Sequence, residues 1–87
     1  MKIKDIRYIK TNKTRTDGRY PLRIGSTVDF YLNSKPNIGS EMYLSYICDN
    51  QGNKKEGVLR TSLVTNITET YTDIIVETLN SIYYLEK

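Results

Sequence analysis

The chain has 87 residues, of which 38% are apolar and 26% are charged, and its formal net charge is +3. This length gives room for one domain over residues 1–87 and excludes two separate cores. There is no histidine and one cysteine, Cys48, which excludes an internal disulfide and a zinc site made of His and Cys side chains. No apolar run has the length of a signal peptide or a membrane span, so we expect a cytoplasmic protein without a membrane partner.

The first predicted element is a strand over residues 2–10, KIKDIRYIK. Its isoleucines recur at every third position, which fits neither a regular strand nor a helix and indicates a bulge or a bend. The next segment, residues 10–19 (KTNKTRTDGR), contains no apolar residue and is interpreted as a loop with a turn at residues 17–18. We expect its cations to be mobile and to attract anions without fixing them.

The segment 22–32, LRIGSTVDFYL, is the clearest predicted strand, because it alternates apolar and polar residues. Leu22 and Leu32 fall on its apolar face. Gly25 within the segment indicates a kink at a barrel corner. A loop over residues 33–41, which contains Pro36 and Gly39, ends this strand.

The second half of the chain consists of short strands. The segment 42–49 predicts a strand with Met42, Leu44, Tyr46 and Cys48 facing inward, which makes Cys48 a small buried residue rather than a nucleophile. The remaining predicted elements are a turn at 50–53, a returning strand at 54–62, a short turn with 3₁₀ geometry as one option at 61–64, a strand at 64–70, and a terminal hairpin of 74–79 and 82–86 joined at Asn80–Ser81.

Five to seven short antiparallel strands without helical periodicity predict an all-β fold, and the length favours a small barrel. The order of strand, hairpin, TSLV turn and closing hairpin resembles SH3-like barrels, which implies a 3₁₀ turn before the last strand. The segment 59–87 also resembles a group of small uncharacterised proteins of Firmicutes and their phages. That resemblance consists of a TSxV pattern at 61–64 and a TxNSxY pattern at 78–83, and it implies no particular activity.

Charge is distributed unevenly along the chain. Residues 1–23 carry eight basic and two acidic side chains, whereas residues 24–87 carry five basic and eight acidic ones. A basic segment of this kind favours an anionic partner such as nucleic acid. The alternative is an edge strand that its lysines protect from aggregation.

The sequence contains no pattern typical of a catalytic or metal site. Without histidine the commonest general base is missing, the carboxylates occur singly, and no phosphate-binding glycine motif is present. The segment 49–53, DNQGN, has too few carboxylates for a calcium loop. We therefore expect a non-enzymatic protein without cofactor or metal.

Two kinds of binding partner remain. The first is nucleic acid, preferably single-stranded, held by phosphate contacts and by stacking of bases on tyrosines. The residues predicted to bind it are Lys10, Lys13, Arg15, Arg19, Arg23, Tyr31 and Tyr43.

The second is a host protein, bound by a phage or mobile-element module such as an inhibitor of a defence protein. Its candidate anchors are Tyr71, Tyr83 and Tyr84, although one of the last two is expected in the core because adjacent strand residues face opposite sides. A homodimer formed through an open edge strand is a further prediction.

Overall fold

The computed structural model describes residues 1–87 and shows six antiparallel strands that close into one barrel in chain order. The strands are β1 (Lys2–Tyr8), β2 (Thr27–Phe30), β3 (Glu41–Cys48), β4 (Val58–Glu69), β5 (Asp73–Thr78) and β6 (Ser81–Glu86). One helical turn, α1 (Tyr20–Arg23), precedes β2, and a 3₁₀ turn (Tyr31–Asn33) follows it. The predicted all-β barrel is confirmed. No helix is both long and apolar enough to cross a lipid bilayer.

The bulge predicted in the first strand is present and explains the spacing of its isoleucines. The register of β1 against β6 shifts between Ile3 and Asp5. Because the shift adds one residue, both Ile3 and Ile6 turn into the core, where they are fully buried. The Asp5 carboxylate accepts a hydrogen bond of 2.9 Å from the Ile6 amide, which satisfies a donor beside the bulge.

The polar segment after β1 is not a free connection. The Tyr8 amide donates to the Lys13 carbonyl at 2.9 Å, and the Arg15 amide donates to the Ile6 carbonyl at 2.8 Å. Thr14 adds a hydrogen bond of 3.0 Å from its hydroxyl to the Asp5 carboxylate. Residues 13–15 therefore run antiparallel along the second half of β1 and belong to the barrel wall. The ladder closes between β1 and β2 through one pairing, Lys2 with Thr27, and the predicted homodimer stays a prediction.

The strand predicted at 22–32 is wrong at both ends. Pro21 stands in the first turn of α1, where its missing amide hydrogen costs no hydrogen bond, and Gly25 ends the turn with a φ of +93°. Leu22 and Leu32, which the alternation placed on the inner face, are exposed. Tyr20 of α1 packs against the core instead. β1 and β2 pair at one position only, Lys2 with Thr27. The helical turn α1 covers the core at this gap in the sheet.

The segment 61–64 is not a turn. It lies inside the long strand β4, which replaces the two strands predicted at 54–62 and 64–70. The first part of β4 pairs with β3 and the second with β5, and register shifts on both sides let the strand bend around the barrel. The Thr61 hydroxyl accepts a hydrogen bond of 3.0 Å from the Met42 amide at one of these shifts. The 3₁₀ turn lies after β2 instead.

The strand predicted at 42–49 is confirmed as β3. Met42 and Leu44 face inward and are buried, as expected. Tyr46 and Cys48 are only half-buried, because the pairing of β3 with β2 is irregular near Thr27. Cys48 is therefore partly covered rather than a core residue.

The terminal hairpin is confirmed with shifted bounds, since Ser81 belongs to β6 and the connection is Leu79–Asn80. Tyr83 is 2% exposed and belongs to the core, whereas Tyr84 is half-buried on the opposite face, as alternation requires. The buried Thr78 hydroxyl donates to the Ser81 carbonyl at 3.1 Å and accepts from the Ser81 amide at 3.0 Å. This side chain fixes the turn between β5 and β6.

Replacement of Thr78 by valine keeps the shape but removes the hydroxyl's bonds to the buried Ser81 amide and carbonyl. We expect Thr78→Val to lower the free energy of unfolding by about 1–3 kcal/mol, measured by urea denaturation. Thr68→Val is the matched control, because Thr68 is exposed on β4, and it should leave the urea midpoint nearly unchanged. Equal midpoints for Thr78→Val and the wild type would contradict this role.

Candidate functional site

A groove of about 610 Å³ lies between the opening loop and the β5–β6 turn. We call it the loop groove; its walls include Tyr8, Lys10, Lys13, Arg15, Tyr20 and Asn80. No carboxylate lines it. Lys10 and Lys13 are exposed and take part in no ion pair, so their charges face the groove without compensation.

Arg15 is fixed rather than mobile, contrary to the expectation for this loop. Its guanidinium binds both carboxylate oxygens of Asp17, at 3.0 and 2.7 Å, and its third nitrogen donates to the Asn80 carbonyl and the Ser81 hydroxyl. The same group lies 3.9 Å from the centre of the Tyr20 ring. With 13% of its side chain exposed, Arg15 is part of the groove wall and ties the loop to β6.

The ion pair of Arg15 and Asp17 shifts the pKa of both side chains. The hydrogen bond from Arg15 lowers the pKa of Asp17 to about 2, and the same bond raises the pKa of Arg15. Asp17 thus stays ionised at any pH near neutrality, and its charge offsets that of Arg15. The free positive charge of the loop groove comes from the two lysines.

A second groove, of about 390 Å³, lies between α1 and the start of β4. We call it the basic groove; its walls include Arg19, Arg23, Tyr46, Lys55, Glu56 and Arg60. Arg19, Arg23 and Lys55 form no ion pair. The Lys55 ammonium lies 4.1 Å from the centre of the Tyr46 ring, a cation–π contact that holds it at the groove. The sequence did not single out Lys55 or Arg60, because their distance along the chain from the basic N-terminal segment hid this proximity.

The two predicted tyrosines lie together but in a different groove. Tyr31 and Tyr43 have ring centres 6.5 Å apart and planes inclined by 48°, and they line a third groove of about 350 Å³. We call it the tyrosine groove; Leu32 and Lys35 are also in its walls. The Tyr43 hydroxyl donates to Glu41 at 3.0 Å, and this bond raises the pKa of Tyr43. The structure therefore separates the predicted stacking residues from the predicted phosphate-binding ones.

A polar cleft of about 450 Å³ connects these surfaces. It shares Tyr20 and Asn80 with the loop groove, Arg23 and Arg60 with the basic groove, and Glu41 with the tyrosine groove. Its lining includes five strand residues that bear a hydroxyl group, Thr61, Ser62, Thr78, Ser81 and Tyr83. No sequence signal pointed to this cleft, because its residues come from four separate segments. The five predicted cations lie in the loop groove and the basic groove, and the two predicted tyrosines lie in the tyrosine groove.

The site is that of a small all-β barrel with a basic, hydroxyl-rich surface around one helical turn. No group of three His, Cys, Asp or Glu side chains is close enough to hold a metal ion. Comparison with protein-family models, with curated proteins and with solved structures finds no match to this chain. The resemblances to SH3-like barrels and to small proteins of Firmicutes and their phages therefore stay predictions.

Substitution of Arg15 by glutamine should release Asp17. We expect the pKa of Asp17, about 2 in the wild type, to rise toward the unperturbed value of about 3.9 in Arg15→Gln, as followed by carboxyl-carbon NMR shifts during a pH titration. Because folding lowers the pKa of Asp17, the contact contributes stability at neutral pH. That contribution is lost as the pH falls through about 2.

Arg19→Gln is the matched control, since Arg19 is exposed and touches no carboxylate. It should leave the Asp17 titration unchanged. An Asp17 pKa that is the same in both variants would show that the ion pair does not form in solution.

Proposed function

We propose that the protein is a non-enzymatic module that binds single-stranded nucleic acid across the loop groove and the basic groove. The observation that supports this most is the distribution of unpaired charge. The unpaired cations of these two grooves are Lys10, Lys13, Arg19, Arg23 and Lys55. Glu56 is the one carboxylate in their walls. A surface with this excess attracts a phosphate backbone and should do so in a salt-dependent manner.

The other cations of the N-terminal segment do not add to this field in the same way. Lys4 pairs with Asp73 at 3.3 Å, and Arg7 pairs with Asp5 at 2.8 Å. Arg7 also lies 4.4 Å from the centre of the Tyr84 ring, on the outer face of β6. Eight basic side chains form no ion pair; five of them line the two grooves, and the other three are Lys2, Lys35 and Lys54.

A single strand suits these surfaces better than a duplex. The grooves are concave and small, and each has apolar wall residues against which an unpaired base could pack, such as Leu79 in the loop groove and Leu22 in the basic groove. Tyr8 and Tyr20 are already in contact with arginines, so they position cations. Among the tyrosines that line a groove, Tyr31 and Tyr43 are the most exposed, each at 40%, and their rings could stack on bases beyond the polar cleft.

A different observation favours a protein partner as the second candidate. Leu32 is 80% exposed and adopts a left-handed backbone with a φ of +52°, next to Tyr31. A branched apolar residue in this conformation is strained, and strained residues of this kind cluster at functional sites. Of the tyrosines predicted as anchors, Tyr71 is 97% exposed at the β4–β5 turn, whereas Tyr83 is buried.

The nucleic-acid proposal is tested by the salt dependence of oligonucleotide binding. We expect a fluorescently labelled oligothymidylate to bind the full chain, with affinity falling roughly 50-fold between 50 and 200 mM salt if about four phosphates are contacted. The variant Lys10→Gln/Lys13→Gln should reduce the slope of log K against log salt by roughly 1–1.5, because two phosphate contacts are lost. Fluorescence anisotropy measures both quantities.

Lys54→Gln is the control for loss of charge, because Lys54 is exposed and lies outside the grooves. It should keep the wild-type salt slope. Arg15→Ala would not test charge alone, because it would also remove the hydrogen bonds that tie the loop to Asn80 and Ser81. Undetectable or salt-independent binding would reject nucleic acid and favour the protein partner, for which Leu32→Asn rather than the lysine variant should abolish association.

A further inference from the structure

The polar cleft contains more hydrogen-bond donors than the protein itself uses. The Ser62 hydroxyl oxygen is buried and has no hydrogen-bond partner. The Ser81 hydroxyl accepts a bond of 2.7 Å from Arg15, which leaves its own hydrogen free to donate. Tyr83 also lines the cleft, and its hydroxyl makes no hydrogen bond within the protein. Buried polar groups without partners are rare in folded proteins and call for an explanation.

Two arginines, Arg23 and Arg60, line the polar cleft. Arg23 forms no ion pair and reaches the cleft from α1, with its guanidinium 5.0 Å from the centre of the Tyr20 ring. Arg60 reaches it from β4, and its Nε lies 3.5 Å from a Glu41 oxygen. Glu41, the one carboxylate in the walls, therefore has its charge compensated, and its other oxygen accepts from Tyr43.

The chemistry of these groups selects the ligand. Hydroxyls and guanidiniums that lack acceptors are satisfied by a ligand that only accepts hydrogen bonds and carries negative charge. A sugar would bring hydroxyl hydrogens that find few free acceptors here. Burial raises the pKa of Tyr83, so its hydroxyl stays protonated and can donate.

We propose that the polar cleft is a binding site for a phosphate monoester, with the phosphoryl oxygens held by Arg23, Ser62 and Ser81. This inference does not depend on strand binding in the grooves. The phosphate could belong to a free nucleotide or to the end of a nucleic-acid strand, which would then leave the cleft through the loop groove by way of Asn80, a residue common to both walls.

The test is a titration of the ¹⁵N-labelled full chain with inorganic phosphate, followed by amide NMR shifts at constant ionic strength. We expect saturable shifts of the Ser62 and Ser81 amides in the millimolar range. Arg23→Gln should weaken binding roughly tenfold and Ser62→Ala roughly threefold, because a charged donor contributes more than a neutral one. Shifts that grow linearly, or that chloride reproduces at the same ionic strength, would overturn the proposal.

Two variants guard against loss of structure. Ser62→Ala removes a hydroxyl that has no partner, so the barrel should fold as the wild type does, and unchanged phosphate affinity in this variant would also overturn the assignment. Lys54→Gln, which removes a charge outside the cleft, should bind phosphate with wild-type affinity. An equal loss in Lys54→Gln and Arg23→Gln would mean that net charge alone attracts the anion.

The source of the phosphate follows from two further probes, thymidine 5′-monophosphate and an oligothymidylate with or without a 5′-phosphate. Tighter binding of the mononucleotide than of inorganic phosphate supports a nucleotide site. A gain from the 5′-phosphate that Ser62→Ala removes supports a strand end. Binding of the 5′-hydroxyl strand without any response to inorganic phosphate would reject the cleft and keep the proposed function, and the reverse result would reject the proposed function and keep the cleft.

Discussion

The backbone hydrogen bonds that join residues 13–15 to β1 determine both the wall of this barrel and the placement of its cations. Without them the second half of β1 would present an unpaired edge, and the loop that carries Lys10 and Lys13 would have no fixed position. Asp5 supports this pairing from inside the bulge, because its carboxylate binds the Ile6 amide, the Arg7 guanidinium and the Thr14 hydroxyl at once. One acidic residue in a basic segment is thus what holds that segment in place.

Tyrosine has two different uses in this barrel. Tyr83 fills the core, where its ring contributes apolar area. Tyr8, Tyr20, Tyr46 and Tyr84 are partly buried, and each offers a ring to a basic side chain. Cation–π contacts of this kind order long side chains that would otherwise sample many rotamers, and they leave the charge in place. These contacts order Arg7, Arg15, Arg23 and Lys55, whereas Lys10, Lys13 and Arg19 have no such contact.

The sequence predicted the elements whose signals are local. Alternation was sufficient for β3 and for the terminal hairpin, and the three-residue spacing of Ile3 and Ile6 correctly indicated a bulge. The prediction from alternation was wrong at both ends of 22–32, because Pro21 and Gly25 favour a helical turn, α1, before β2. The turn predicted at 61–64 was wrong, because no local signal shows that the long strand β4 pairs with β3 in its first part and with β5 in its second. Charge alone singled out the basic residues of the N-terminal segment but not Lys55 or Arg60. The cleft depends on contacts between β4, β6 and α1 that no spacing reveals.

The pairing of β6 with β1 joins the last strand to the first, with Glu86 opposite Lys2. Contacts between residues so far apart in the chain must wait for the ordering of nearly everything between them, and such topologies fold slowly for their size. Arg15 reaches Asn80 and Ser81 across the same seam. During synthesis, the walls of the loop groove and of the polar cleft would therefore be complete only after β6 has left the ribosome and paired with β1.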